Sequence, residues 1–441
     1  AMKFYDRKEE LRELRRVQKQ AFEEHSRMTV LTGRRRIGKT SLGRMVMEGT
    51  PSVYFFVSRK DEALLCQDFM EQIRQNLGDV PTGLKTFKEV FKLLMIFGQN
   101  KKFTLFIDEF QEFWQINKSI FSDIQNLWDQ YRRQTNIHLI LSGSVYTMME
   151  KIFKDSKEPL FGRADLEIRL KPFRTDVMKE IMRDANPEYT NDDLLALYAI
   201  TGGVPKYIEL FINNGCTNLD SMIGFMTRPD SQFIEEGRNL LIQEFGKNYG
   251  TYFSILSLIA CGEMTQKDIQ AKMEDGKNIG GQLRILEEDY LLITKKRPIK
   301  AKEGSQTVKF ELKDNFLRFW FRYFEKYRQL IEIGNFKMLG MLIRKDFNVY
   351  SGFALERWFR EKMMESQEYI NIGGWWQSDT ENPNEIDIVT IDLNDNVHAY
   401  EVKRQSKKYN PCLLQQKVEV MRNKIFKGKE IKYSHLSLDD M

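Results

Sequence analysis

Eight residues near the start of the chain, Gly33-Arg-Arg-Arg-Ile-Gly38-Lys39-Thr40, have the types and spacing of a loop that wraps a phosphate. A loop of that kind must point its backbone N–H groups at the β-phosphate. Gly33 and Gly38 permit the dihedrals and the close approach that side chains would obstruct. Lys39 would then reach the β- and γ-phosphates, the Thr40 hydroxyl would ligate Mg²⁺, and Ser41 would complete the nucleotide-contacting set. The apolar run Met28 to Leu31 in front and the helical spacing behind predict strand, loop, helix, the context such a loop requires.

A second element must hold the metal and the attacking water, and Phe103-Thr-Leu-Phe-Ile-Asp108-Glu109 has the form of an apolar strand ending in two acids. Asp108 would bind Mg²⁺ through water, and Glu109 would polarise the nucleophile. Further β-like runs at Ser52 to Val57, Ile137 to Leu141 and Leu166 to Leu170 alternate with helical stretches, which predicts an α/β fold on a parallel sheet. Ser142 ends one of these strands. Its hydroxyl is placed either to sense the γ-phosphate or to cap a helix.

The tail carries a second group of chemically capable residues. Runs Ile386 to Ile391 and Val397 to Lys403 flank a polar Asp/Asn-rich turn, a hairpin signature. If residue 391 faces 397, then 387 lies opposite 401, and Asp387, Val389, Ile391, Val397, Ala399, Glu401 and Lys403 share one face. Facing carboxylates about 5 Å apart repel by roughly 3 kcal/mol at an effective dielectric near 20, and a shared cation relieves that cost. Oxygens of Asp387, Glu401 and the Val402 carbonyl suit Mg²⁺ or Mn²⁺, with Lys403 steadying a hydroxide or a pentavalent phosphate. Glu-x-Lys alone is uninformative, since it recurs at Glu311 to Lys313 and Glu430 to Lys432; the hairpin gives it meaning. The other reading of these residues is a salt-bridge network in a module that does not cleave.

The phosphate loop, Phe4-Tyr5-Asp6-Arg7 ahead of it, Ile107-Asp108-Glu109-Phe-Gln111, Leu141-Ser142-Gly-Ser144, Leu160-Phe-Gly162-Arg163 and Thr201-Gly202-Gly203-Val-Pro205 together resemble the prokaryotic, archaeal-type AAA+ ATPase family, which is related to origin-recognition and STAND ATPases. The resemblance spans roughly residues 2 to 345. That family usually has Gly where Asp6 stands. The resemblance implies that Ser142 is a sensor, that Arg163 is an arginine finger, and that Gly203 and Pro205 mark a helical lid near the adenine. From the residues alone, Arg163 beside Asp165 also reads as a surface ion pair. The tail is similar to the PD-(D/E)xK nuclease superfamily, which implies that Glu356 is the helical acid joining Asp387 and Glu401 at the metal, with Lys403 catalytic. Together with Gly374-Trp-Trp376 it resembles the nuclease-like domain commonly fused to this ATPase family.

These sites need elements to carry them. At about 150 residues per domain, 441 residues imply about three domains. The expected order is an ATPase core over 1–175, a helical lid over 176–245, a winged helix-turn-helix over 246–312, a connector over 313–348 and the nuclease-like domain over 349–441. In the third of these, helices are expected at Phe253 to Ala260, Thr265 to Met273 and Ile279 to Glu288, with Thr265 as an N-cap. A β-pair then flanks the basic loop Lys295 to Lys309. Its third helix offers Asn278, Gln282 and Arg284 against Glu287, Glu288 and Asp289, so DNA contact through the wing stands beside a lid or protein-contact role. The aromatics of Asn315 to Tyr327 recur on several helical faces and predict a buried connector helix.

Composition narrows the classes. Apolar residues at 41% and only 10 prolines exclude a disordered chain. The net charge of +5 is too small for its size to mark a nucleic-acid binder, but Lys295, Lys296, Arg297, Lys300, Lys302 and Lys309 face a single acid, Glu303. Cys66, Cys216, Cys261 and Cys412 lack zinc-knuckle spacing and suit a reduced, cytoplasmic setting. The longest apolar run, Tyr252 to Cys261, is half the ~20 residues of a membrane span. Ala1 ahead of Met2 reads as a cloning remnant. The combined expectation is an ATPase that uses Mg²⁺-ATP to control a winged helix and a metal-dependent nuclease-like domain acting on DNA, with both a monomer and a homo-oligomer left open. Its rival is a STAND-like switch whose C-terminal module only binds a protein partner.

Overall fold

The computed structural model describes residues 1–262, 264–274, 276–305, 307–378 and 381–441, and the chain forms two compact units. The first, Asp6–Lys171, is built on five parallel strands: β1 (Arg27–Thr32), β2 (Ser52–Phe56), β3 (Lys102–Asp108), β4 (Asn136–Gly143) and β5 (Leu166–Arg169), in the order β2-β3-β4-β1-β5. Phe103, Leu105, Phe106 and Ile107 of β3 are fully buried, the near-continuous apolar run expected of a strand covered on both faces. Because β4 lies between β1 and β3, the carboxyl ends of these three neighbours bring the loop after Thr32, the acids after Ile107 and Ser142 to one edge. The helix Lys39–Met47 packs tightly beneath: a Cβ on Gly43 would come within 2.8 Å of the Phe106 ring.

The second unit comprises Ala1–Tyr5 and Pro172–Met441. It opens with helices Thr175–Ala185, Asn191–Thr201, Pro205–Asn213, Leu219–Met226 and Glu236–Phe245. Thr190 and Asp193 cap the second of these reciprocally, and Gly202 ends it at φ 61°. Helices Tyr249–Ile259, Gln266–Lys272 and Gly280–Glu288 follow, then an antiparallel ribbon of β6 (Ile293–Lys296) and β7 (Lys309–Leu312). Thr265 caps its helix by the Thr265–Asp268 capping box.

The expected connector is not one helix. Helix Asn315–Phe319 runs into a π-helical turn at Trp320–Glu325, and after helix Arg328–Glu332 the chain turns at Gly334 (φ 73°) into a single 31-residue helix, Phe336–Ser366. The boundary expected at residue 348 therefore falls inside a continuous helix, because neither proline nor a left-handed residue interrupts it. The aromatics Phe316, Phe319, Trp320, Phe321, Tyr323 and Phe324 are buried as expected, in a core shared with Trp358 of the long helix and with Tyr198 and Tyr207 of helices Asn191–Thr201 and Pro205–Asn213. The first unit ends at Lys171 rather than at 175, and residues 1–5 belong with the second.

The last sheet has the order β11-β10-β9-β8, from β8 (Tyr369–Trp376), β9 (Glu385–Asp392), β10 (Val397–Val402) and β11 (Ile431–Leu436). Helix Pro411–Ile425 crosses from β10 to its parallel neighbour β11. It packs Leu414, Val418 and Met421 against Val389, Ile391, Val397 and Ala399.

Candidate functional site

The loop after β1 adopts the backbone its sequence predicts. Gly33 has φ 154° and Gly38 φ 98°, and a Cβ on Gly33 would meet Ile37 Cγ2 at 2.9 Å and the Leu170 carbonyl at 3.1 Å. Arg36 holds φ 75° as a non-glycine residue, and Ile37 anchors the loop in a core with Leu14, Leu31, Leu42 and Leu170. Buried Arg7 donates from Nη2 to the Ile37 carbonyl at 3.2 Å. The neighbouring Asp6, where the resembled family has Gly, takes φ 53°, the left-handed conformation that favours glycine.

Lys39 Nζ donates to the loop's own carbonyls, Gly33 O at 2.9 Å and Arg34 O at 3.1 Å. Burial pushes its pKa down to about 8 against the opposing pull of Glu109 and Asp108. Thr40 Oγ1 donates to Asp108 Oδ2 at 2.7 Å, Tyr54 Oη donates to the same oxygen at 2.8 Å, and the Glu109 N–H donates to Oδ1 at 3.0 Å. Glu109 sits at φ 54°; its Oε2 accepts from Gln111 Nε2 at 2.6 Å and Ser144 Oγ at 2.9 Å. A facing hydroxyl and carboxylate are hard oxygen donors of the kind Mg²⁺ prefers, so Thr40 and Asp108 fit the metal that ATP carries.

Ser142 is fully buried, and its Oγ has no hydrogen-bond partner among the described residues. It caps nothing: the next helix, Tyr146–Lys154, has Val145 at its N-cap. Ser41 is exposed in the first turn of helix Lys39–Met47. Arg163 forms an ion pair with Asp129, Nη2 to Oδ2 at 3.0 Å, and donates to the Phe161 carbonyl at 2.8 Å. Asp165, the expected partner, instead accepts the Met28 N–H at 2.8 Å and pairs with Arg132 at 3.7 Å. Pro205 begins a helix of the other unit, after Gly202 and Gly203 at positive φ.

In the second unit the hairpin has the expected register: Ile391 faces Val397, Val389 faces Ala399 and Ile388 faces Tyr400. Where the ladder ends, Asp387 Oδ2 accepts the Val402 N–H at 2.8 Å. Glu401 is 6% exposed; its Oε1 meets Lys403 Nζ at 3.2 Å and Lys417 Nζ at 3.7 Å, and its Oε2 makes no hydrogen bond among the described residues. Burial raises the Asp387 pKa, opposed by the Val402 N–H and Lys403. His435, across from Glu401 on β11, stacks on Tyr409 at 4.4 Å.

Glu356 does not join this group. Its Oε1 pairs with Arg360 Nη2 at 3.3 Å one helical turn on, and among the described residues no three His, Cys, Asp or Glu side chains converge to hold a cation. The expected three-carboxylate set is thus corrected to two acids and two lysines.

The basic loop also behaves differently from a free wing. Ile299 is buried in the core under the last sheet and donates its N–H to the Gly374 carbonyl at 2.8 Å. Lys300 lies over the Phe426 ring, Lys309 lies over Trp376 and pairs with Glu385 at 3.7 Å, and Lys296 pairs with Glu311 at 3.7 Å. In the preceding helix pair, Asn278 Oδ1 accepts the Gly280 N–H and Arg284 pairs with Glu288.

Sequence reasoning gave no role to Tyr54, Gln111, Ser144 or Lys417. Lys417 leaves the clearest signal, a lysine on the Leu414–Val418–Met421 stripe that faces the sheet. Tyr54 leaves a weaker one, a phenol inside the apolar run Ser52–Phe56.

A glycine-turned loop, its lysine, and a strand-end Asp-Glu pair at the carboxyl edge of a β2-β3-β4-β1-β5 sheet define a P-loop ATPase. Residues 4–211 match the family described as an ATPase domain predominantly from Archaea, and the protein is an ATP hydrolase. Residues 320–416 match a second family, described as archaeal and bacterial proteins of unknown function. The chain is 28% identical over 402 residues to an uncharacterized protein of Methanocaldococcus jannaschii, covering 89% of this chain and 85% of that one. Its fold is similar to that of a Walker-type ATPase of Pyrococcus abyssi, with 20% identity and a TM-score of 0.55 over 72% of this chain and 96% of the other. The ORC2 protein of Aeropyrum pernix, in ADPNP–ADP complexes, aligns at 13% identity and a TM-score of 0.49 over 75% and 95%. Among the described residues no helix is long and apolar enough to cross a membrane.

Proposed function

We propose that Mg²⁺-ATP hydrolysis in the first unit controls the second, whose C-terminal hairpin is a metal-dependent, nuclease-like site acting on DNA. Gly33, Gly38 and Lys39 bind the phosphates, Ser41 lies at the same helix start, and Thr40 and Asp108 hold Mg²⁺, which neutralises charge on the β- and γ-oxygens when bound. Glu109 accepts a proton from the attacking water once Gln111 and Ser144 yield it. The unpartnered Ser142 hydroxyl senses the γ-phosphate, and Pro205 marks the lid. Arg163 serves as a finger only after leaving Asp129, which makes a second copy of the chain its natural partner.

The single observation behind the nuclease reading is the buried carboxylate Glu401, one oxygen unpartnered, beside Asp387 and within 3.2 Å of Lys403. Those groups suit one Mg²⁺ or Mn²⁺, with water completing the shell. Glu356, drawn off by Arg360, has no part in it. Purified protein with Mn²⁺ or Mg²⁺ is expected to nick one or more forms of DNA, and Asp387→Ala to abolish nicking; no metal-dependent cutting in any nucleotide state removes this half of the proposal.

A second reading has its own support. Lys403 and Lys417 already balance Glu401, as in a structural ion network, and the ribbon of the three-helix, winged-helix-like module is anchored through Ile299. On that reading the protein is a STAND-like switch whose C-terminal module binds a partner protein. Salt-insensitive, weak DNA affinity combined with ATP-dependent assembly selects it; steeply salt-dependent DNA binding rejects it.

A further inference from the structure

Asp108 collects more donors than a carboxylate awaiting a metal requires. Both lone-pair positions of Oδ2 are filled by hydroxyls, Thr40 at 2.7 Å and Tyr54 at 2.8 Å, while Oδ1 takes the Glu109 N–H at 3.0 Å. Thr40 can keep its bond and still turn a lone pair to Mg²⁺, because a hydroxyl carries two lone pairs beside its proton. Tyr54 can keep its own as well. It projects from β2, where it lies beside Phe106 of β3, and its ring stacks on Phe106 at a centroid distance of 5.4 Å and 22°. Phe106 is fully buried, and the helix carrying Lys39 and Thr40 closes over it at Gly43. The phenol is therefore fixed from behind and half-buried in front.

We propose that Tyr54 is a positioning residue of the ATPase: its hydroxyl pins Oδ2 of the Asp108 carboxylate from the outer side and so restricts the carboxylate's rotation at the seat it would share with Thr40. This rests on the reading that Thr40 and Asp108 hold Mg²⁺. A phenol on the outer side of a ligating carboxylate restricts its rotation, and losing such outer contacts commonly weakens metal affinity by 10- to 100-fold.

The test is Mn²⁺ titration of the full chain with ADP, reading free Mn²⁺ by electron paramagnetic resonance, for wild type, Tyr54→Phe and Asp108→Asn. Tyr54→Phe preserves the ring and its stacking, and its unfolding midpoint is measured alongside. The expected result is about tenfold weaker Mn²⁺ binding in Tyr54→Phe with unchanged ADP affinity without metal. Wild-type Mn²⁺ affinity in Tyr54→Phe with loss in Asp108→Asn overturns the role of Tyr54 alone. Wild-type affinity in Asp108→Asn overturns the metal-seat reading and this proposal with it. A fall in turnover with unchanged Mn²⁺ affinity also overturns it.

Discussion

Both chemically capable regions put acids at the end of a β-strand near a lysine, yet they manage charge in opposite ways. At the nucleotide site Asp108 and Glu109 receive neutral donors, two hydroxyls and a backbone amide on one, an amide side chain and a hydroxyl on the other, while Lys39 sits on backbone carbonyls. Among the described residues no direct ion pair cancels the charges of these three groups, which leaves them to meet a cation and a triphosphate. In the hairpin, Glu401 is countered by Lys403 and Lys417 before any ligand arrives. A site of the first kind is preorganised; one of the second must break an ion pair before it binds.

The sharpest way to break this contrast is to remove the charge each site relies on. Lys39→Ala is expected to lower ATP turnover by about a thousandfold or more, with weakened ATP binding. Glu109→Gln is expected to lower turnover by about 10²- to 10⁴-fold while ATP still binds. Single-turnover kinetics beside calorimetric ATP titration separate the two. Equal loss of binding in both variants would place Glu109 in the phosphate seat rather than at the water.

The two sites also differ in how far their supports reach along the chain. Arg7, Tyr54, Gln111 and Ser144 support the first within one unit, whereas the sheet behind the second depends on Ile299, carried by the ribbon of the three-helix module. Ile299→Ala removes a fully packed side chain and is expected to destabilise the second unit by about 2–4 kcal/mol, read from denaturant unfolding, with ATP affinity unchanged. A change under about 0.5 kcal/mol would mean the ribbon is not anchored there.

What was legible in the sequence follows the same division. The phosphate loop and Asp108-Glu109 were readable because their chemistry is set by adjacent residues, and the hairpin register because a period of two propagates from its turn. The ion-pair alternative for Arg163 points to nearby Asp165, whereas the partner it takes, Asp129, lies 34 positions upstream. Glu356 was expected at the metal because a helical acid says nothing about which side chain one turn away will take it, and Arg360 does. The boundary expected at residue 348 has no local signal behind it, since helix Phe336–Ser366 runs through that position. Tyr54 and Lys417 leave a signal in their own elements, but their partners Asp108 and Glu401 follow only from strands and helices of separate segments meeting.

A smaller effect tests Lys39. Its pKa of about 8 lies below the ordinary lysine value because burial disfavours the ammonium. In the free protein Lys39 loses its proton as pH rises through about 8, so ATP affinity is expected to fall by up to about tenfold per pH unit above that point. Binding there takes up a proton, which calorimetry in buffers of different ionisation enthalpy detects. The stability contribution has the opposite sense: between about pH 8 and the unfolded value of 10.5 the unfolded chain holds more protons, so this group's contribution to stability rises with pH. A flat ATP affinity from pH 7 to 9.5 would mean that Lys39 stays charged and that the loop carbonyls outweigh burial.

The smallest expected effect concerns Asp387, where the contrast is most exposed to refutation. Burial raises its pKa, so the native state holds its proton more tightly than the unfolded chain does. Stability from that proton is present below the unfolded value and is lost as pH rises through the folded one, leaving a buried anion at neutral pH. Asp387→Asn keeps an oxygen to accept the Val402 N–H and removes the charge. It is therefore expected to raise the unfolding midpoint by about 2 °C at pH 7.5 and by less at pH 4. Mg²⁺ or Mn²⁺ should narrow that gap by stabilising the wild type alone, which ties the measurement to metal held by the hairpin. If the variant is instead less stable at pH 7.5, the anion is compensated by Lys403, and the hairpin belongs with the closed ion networks rather than with sites awaiting a cation.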